Sequence, residues 1–137
     1  MDWKVRAIRG ATTVEENTPT AIREAVNELL DEIEKYNQLD PEEITSVIFT
    51  TTRDLDAIFP AAIARQKKGW NFVPLLDVQQ MHVAGSLEYC IRILIHFNTC
   101  KPQSEIVHRY LREAQNIRPD LCLEKRDHAP MSTAVNK

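Results

Sequence analysis

The sequence predicts one α/β domain, with helices packed on a mixed β-sheet in an α+β order. Three observations lead there. Segments rich in β-branched residues alternate with amphipathic ones, cap-plus-proline pairs mark helix starts, and 137 residues hold one core. A chain of this length buries about two-thirds of its unfolded surface, enough to fold without staples.

Residues 3–13 read as the first strand, with polar and apolar side chains roughly alternating. Thr18-Pro19 then predicts a helix start, a hydroxyl cap followed by proline at the first helical position. Behind it Ile22, Val26, Leu29, Ile33 and Tyr36 recur at helical spacing, widened by Ala25 and Leu30. Glu24, Glu28, Asp31 and Glu32 take the other side. Asp40-Pro41 repeats the cap signal for a short turn. Ser46 to Thr52 is a second strand by its β-branched content. Phe59-Pro60 opens a short helix reaching Lys68 and ended by Gly69. Phe72-Val73-Pro74-Leu75-Leu76 is expected as a third strand, its proline suggesting an edge. Cys90 to Thr99 is a fourth, strongly apolar strand, and Ser104 is expected to cap a last helix from Glu105 to Ala114. The order is βα(α)βαββα. Residues 1–125 are expected to form the single domain, and 126–137, short of core residues, a frayed tail.

Composition narrows the function. Seventeen basic and twenty acidic side chains give a charge of −3, too balanced for binding nucleic acid through phosphates alone. Three glycines argue against a Gly-rich phosphate cradle. Cys90, Cys100 and Cys122 are odd in number and far apart, which fits a reducing compartment and neither a disulfide scaffold nor a zinc site. The charged N-terminus lacks the apolar stretch of a signal peptide, and no window suits a membrane span, so the chain reads as cytoplasmic.

Arg92 is the most informative residue. It stands in Cys90-Ile91-Arg92-Ile93-Leu94-Ile95, among side chains that seek burial. A guanidinium there must meet an anion or emerge at an edge, because an unpaired buried charge costs several kcal/mol. It is either surface-facing or internally paired, or it marks an anion site at the mouth of the sheet. Arg9 repeats the pattern more weakly. Arg65 shares a short helix with Phe59, and Tyr110 on the expected last helix is either core or rim. Asp77 and Gln80 follow an expected strand end, where α/β proteins often place binding residues. His82, His96, His108 and His128 show no ligand spacing, and no nucleophile motif, P-loop or dinucleotide fingerprint is present. The residues alone leave two classes open: an enzyme working by electrostatics, or a module that binds a small anion.

Several separated motifs narrow this further. Arg6-Ala7-Ile8-Arg9-Gly10-Ala11-Thr12-Thr13-Val14-Glu15 resembles the opening strand of the monofunctional AroH-class chorismate mutases. So, in order, do Asp54-Leu55-Asp56-Ala57-Ile58-Phe59-Pro60-Ala61, Gly69-Trp70-Asn71-Phe72-Val73-Pro74-Leu75, Cys90-Ile91-Arg92, Tyr110-Leu111 and Ile117-Arg118-Pro119-Asp120-Leu121. The resemblance implies a homotrimer around a pseudo-α/β-barrel, with active sites between subunits. It implies the Claisen rearrangement of chorismate to prephenate, on the shikimate route to phenylalanine and tyrosine, with no cofactor, metal or covalent intermediate.

By the same resemblance Arg92 would face the ether oxygen and a nearby carboxylate, while Arg9 grips the side-chain carboxylate with help from Tyr110. Phe59, Ala61, Leu75 and Leu76 would form the apolar wall, facing the arginines of the adjacent subunit. Ala62, Val78 and Ile117 complete the implied binding set, and Arg65 and Arg118 would raise the positive potential at the entrance. Two departures fall near the chemistry. Gln80 stands where the best-known members carry glutamate, and Asp77 where they carry cysteine, so Asp77 is expected to supply the carboxylate that Gln80 lacks. Ala62 stands where a lysine is common, removing one cation from the rim. The alternative is a trimer of the same fold that binds a small carboxylate without rearranging it, or hydrolyses an imine.

Overall fold

A computed structural model describes residues 2–121, and both the expected tail at 126–137 and Cys122 lie outside them. Strand β1 (Lys4–Thr13) is followed by helix α1 (Pro19–Asn37), a 3₁₀ turn (Pro41–Glu43), β2 (Ile44–Thr51) and the short helix α2 (Pro60–Arg65). Then come β3 (Leu75–Gln79), β4 (Cys90–Thr99), β5 (Arg109–Tyr110) and 3₁₀ turns at Gln103–Glu105, Arg112–Asn116 and Pro119–Leu121. The five strands form one mixed sheet in the order β3-β2-β4-β1-β5. β4 runs antiparallel to β1 and β2, while β2/β3 and β1/β5 are parallel.

The cap signals hold. Thr18 Oγ1 accepts the Ala21 amide at 3.1 Å, and Asp40 Oδ1 accepts the Glu42 amide at 3.0 Å. Helix α1 buries Ile22, Ala25, Val26, Leu29, Leu30 and Ile33 on the sheet, against Ile8, Val47, Phe49, Ile91, Ile93 and Ile95. Tyr36, expected in that stripe, is at the surface instead, under the Arg109 guanidinium 4.9 Å from its ring centre. Gly10 permits the close approach of α1 and β5 to β1: a Cβ there would meet Arg109 O and Ile93 Cγ2 at 3.0 Å and Ile33 Cδ1 at 3.1 Å. On the outer side of α1, Lys67 pairs with Asp31 and Glu34, and the Trp70 indole donates to Glu34. Burial alone would lower the Lys67 pKa, but these two carboxylates outweigh it and raise it.

Three sequence expectations are corrected. The third strand is Leu75–Gln79 rather than 72–76. Gly69 turns the chain at φ 84°, the Val73 amide closes a turn onto Trp70 O, and pairing begins only where the Val47 amide reaches Pro74 O at 2.9 Å. Phe72 is left 92% exposed. Asp77 therefore lies inside β3 rather than after it. Helix α2 stops at Arg65, because 3₁₀-type bonds from Gln66 and Lys67 to Ile63 and Ala64 tighten its end before Lys68.

The last helix does not form. Residues 106–111 instead run extended between two 3₁₀ turns, with Arg109–Tyr110 pairing parallel to β1. The Asn37 side chain clamps Val107 through its N–H and C=O at 2.9 and 2.8 Å, Arg109 pairs with Glu32 at 2.7 Å, and the Leu111 amide donates to Ala11 O at 2.9 Å. These contacts outweigh the weak intrinsic helix preference of a short segment. Tyr110 thus lies on the edge strand.

Candidate active site

The register of the sheet sorts the functional side chains by face. One row across it is Val78, Thr50, Arg92, Ala11 and Tyr110, and the next is Leu76, Ile48, Leu94 and Arg9. Both rows lie on the face away from α1. The intervening row, Asp77, Phe49, Ile93, Gly10 and Arg109, faces the helices. Strand alternation decides this, since a side chain changes face with every residue.

Arg92 is half-buried, flanked by Thr50 on β2 and Ala11 on β1. Its Nε is buried with no hydrogen-bond partner among the described residues. Burial pushes the pKa of the Cys90 thiol up, against the opposing pull of the Arg92 charge. A buried cationic N–H without an acceptor carries its full desolvation cost. Such a group calls for an anionic oxygen. Beside it Gln80, just past β3, has Oε1 within 3.4 Å of the Thr50 hydroxyl, and the Gln80 amide donates to Thr51 O at 2.9 Å.

Arg9, Tyr110, Ile117 and Arg118 gather at the other edge of this face. Tyr110 is buried against Ala11 and Ala114, with Leu87 and Ile117 beside them. The Arg9 side chain is exposed, and its backbone amide donates to His108 Nδ1 at 2.9 Å. Arg118 makes a two-pronged ion pair with Asp120, Nε to Oδ1 at 3.0 Å and Nη2 to Oδ2 at 2.7 Å. That bond raises the Arg118 pKa and holds the Asp120 carboxyl below its ordinary value, with Arg9 adding to the second effect.

The remaining predicted residues belong to α2 and its neighbourhood. A cleft of about 610 Å³ lies between the 51–60 segment and β3, lined among others by Arg53, Ile58, Phe59, Asp77 and Val78. Phe59 is 69% exposed and Leu76 56%, while Ala62 and Leu75 are half-buried and Arg65 is exposed. Ala61 is buried, so its amide rather than its methyl is its point of contact, donating to Asp77 Oδ1 at 3.0 Å. Burial pushes the Asp77 carboxyl above its ordinary value, against the Ala61 hydrogen bond and the Arg65 charge.

Within one chain Thr50 links Arg92, its cross-strand neighbour, with Gln80, while Arg9 lies near the Arg118–Asp120 pair on the same face. Phe59, Ala61, Arg65 and Asp77 gather separately around α2. Sequence reasoning missed Thr50, Arg53 and Asp120. The Thr50-Thr51-Thr52 run reads only as β-propensity, and Asp120 follows Pro119 in what looks like an ordinary turn.

The fold is thus that of a mixed-sheet α+β domain, with a half-buried arginine whose Nε has no acceptor among the described residues, on the sheet face away from α1. The particular family follows from comparison. The family model for chorismate mutase type I matches residues 5–121, and the chain belongs to that family. It is 41% identical over 121 residues to the chorismate mutase AroH of Bacillus subtilis (strain 168), covering 88% of this chain and 95% of the relative. It is 51% identical over 118 residues to that of Thermus thermophilus, covering 85% and 96%. A solved chorismate mutase from Clostridium thermocellum superposes with a TM-score of 0.77 at 46% identity, covering 80% of this chain and 97% of that one.

Proposed function

We infer that this chain is a chorismate mutase, an isomerase that rearranges chorismate to prephenate in aromatic amino acid biosynthesis, and that Arg92 is its central catalytic group. The observation that carries the assignment is the buried Arg92 Nε, which has no acceptor among the described residues. Chorismate is a dianion whose side chain must fold over its ring before carbon–carbon bonding. Holding both carboxylates selects that compact geometry and removes part of the entropic barrier. As the ether C–O bond breaks, negative charge gathers on its oxygen. A fixed guanidinium opposite that oxygen stabilises the transition state more than the ground state. Arg9, Tyr110 and Arg118 bind a substrate carboxylate, and Ile117 packs beneath them.

The site is completed by a second copy in a homotrimer. Supporting this, Ile48 and Leu94 are only half-buried at the centre of the uncovered face, and Leu76 and Val78 beside them are exposed. Phe59, Ala61, Ala62, Arg65, Leu75, Leu76 and Val78 of one copy face Arg9, Gln80, Arg92 and Tyr110 of the next. This division accounts for the two separate groups within one chain. Asp77 supplies the negative charge near the substrate ring that Gln80 lacks. Its remaining carboxylate oxygen is available for that, since its one hydrogen bond among the described residues goes to Ala61. The reaction so drawn uses no cofactor. No described helix is long and apolar enough to cross a membrane, and free thiols at Cys90 and Cys100 suit a cytoplasmic setting.

The test follows the loss of chorismate's diene absorbance. The unmodified protein should accelerate it well above the buffer rate, and Arg92→Ala should remove roughly 10²- to 10³-fold of kcat. An Arg92→Ala variant as active as the parent would sink the assignment.

A further inference from the structure

We propose that Asp120 is an internal counter-ion of the substrate site, a carboxylate that occupies the place of a substrate carboxylate on Arg118 while the site is empty and thereby sets substrate affinity. This rests on the placement of Arg9, Tyr110 and Arg118 in that site.

The geometry is that of carboxylate recognition. Asp120 accepts from both Nε and Nη2 of Arg118, at 3.0 and 2.7 Å, the parallel two-bond arrangement by which an arginine binds a carboxylate ligand. Its side chain is only 13% exposed, whereas that of Arg118 is 30% exposed. The charges around it are those of the substrate site. Arg9, on β1, adds its charge to the pull that keeps the Asp120 carboxyl low. A residue two positions along the chain thus presents to this cationic cluster the functional group that chorismate would bring twice. Neutralising Arg118 in the empty site lowers the field that attracts a dianion, and an incoming carboxylate must take over one or both of these hydrogen bonds. Asp120 touches neither the breaking nor the forming bond of the substrate. Its influence therefore falls on binding and not on the chemical step.

The experiment pairs Asp120→Asn with Arg118→Ala in the full-length protein, measuring kcat and KM for chorismate and prephenate affinity by calorimetry. Asparagine keeps the shape and removes the charge. Asp120→Asn should lower KM and tighten prephenate binding about three- to fivefold, the size of one surface ion pair that stays within reach of solvent, with kcat changed less than twofold. Asp120→Glu should restore the parental values. Arg118→Ala should raise KM severalfold. Asp120→Asn that binds prephenate as the parent does, or more weakly, overturns the counter-ion role, the second outcome making Asp120 a support for Arg118. Arg118→Ala with an unchanged KM instead removes Arg118 from the site and takes the proposal with it. Asp120→Ala, compared with Asp120→Asn by thermal unfolding, separates loss of folding from loss of charge.

Discussion

The two faces of the sheet are built to opposite rules. The face under α1 is closed within one chain: Ile8, Phe49, Ile91 and Ile95 are fully buried, and Ile93 nearly so. The opposite face has Leu76 and Val78 exposed, Ile48 and Leu94 half-covered, and a guanidinium whose Nε finds no partner among the described residues. The same β4 strand serves both, changing role at every residue from Ile91 to Arg92 to Ile93. The covered face carries most of the packing, which lets the other keep a buried guanidinium N–H without an acceptor among the described residues, together with exposed apolar surface. Cost on one face is offset by packing on the other.

This contrast can be broken at its extremes. Arg92→Ala should lose most of its kcat while its melting temperature stays within a few degrees of the parent. A large loss of stability would mean that Arg92 belongs to the core. On the covered face, Phe49→Ala should cost about 3–5 kcal/mol of stability in denaturant unfolding, through the cavity left beneath α1. Residual activity per folded molecule should change little. Ile48→Glu on the open face should shift sedimentation from a trimer toward a single chain and lower activity together with it. A variant that sediments and turns over as the parent does would show that this face is not an interface.

The smallest effects sharpen the comparison at β3, where Asp77 and Gln80 point to opposite sides. Asp77→Asn retains an oxygen for the Ala61 amide, so its stability at neutral pH should lie within about 0.5 kcal/mol of the parent. If Asp77 supplies charge to the reaction, kcat should fall much further than with Gln80→Glu, and comparable small effects of both would refute the exchange. The pH dependence carries a sign. Because burial raises the Asp77 pKa in the folded protein, its negative charge disappears at a higher pH than that of an ordinary carboxylate. Activity should therefore decline on acidification above the usual carboxylate range, and that limb should vanish in Asp77→Asn. For stability, the raised pKa contributes most below the unfolded value and is lost as pH rises through the folded one. Asp120 behaves in the opposite sense, its contribution present above the unfolded value and lost as pH falls through its lowered pKa.

Much of the site was legible before any fold was known, because a guanidinium among isoleucines is expensive wherever it stands. Arg92 is singled out on that ground, with a surface or internally paired arginine left open beside an anion site, and Arg9 only more weakly so. Gln80 is raised by its place after an expected strand end, Arg118 and Phe59 come only with the resemblance of surrounding motifs, and Asp120 from neither. Its meaning lies in which arginine it reaches, a fact of chain path after Pro119.

The amino-acid sequence by itself determined the local elements: the capped helix α1 with its apolar stripe, the strands β1, β2 and β4, and the anomaly of Arg92. Those features follow from periodicity and capping, which act over a few residues. The tertiary structure decided the rest. It replaced the expected 105–114 helix by 3₁₀ turns around a short edge strand held through Asn37, Glu32 and Ala11, moved the third strand past Pro74, and set Asp77 and Arg92 on opposite faces. These outcomes depend on pairings between residues tens of positions apart, where hydrogen bonds and ion pairs to a distant partner outweigh a local preference worth less than about 1 kcal/mol per residue.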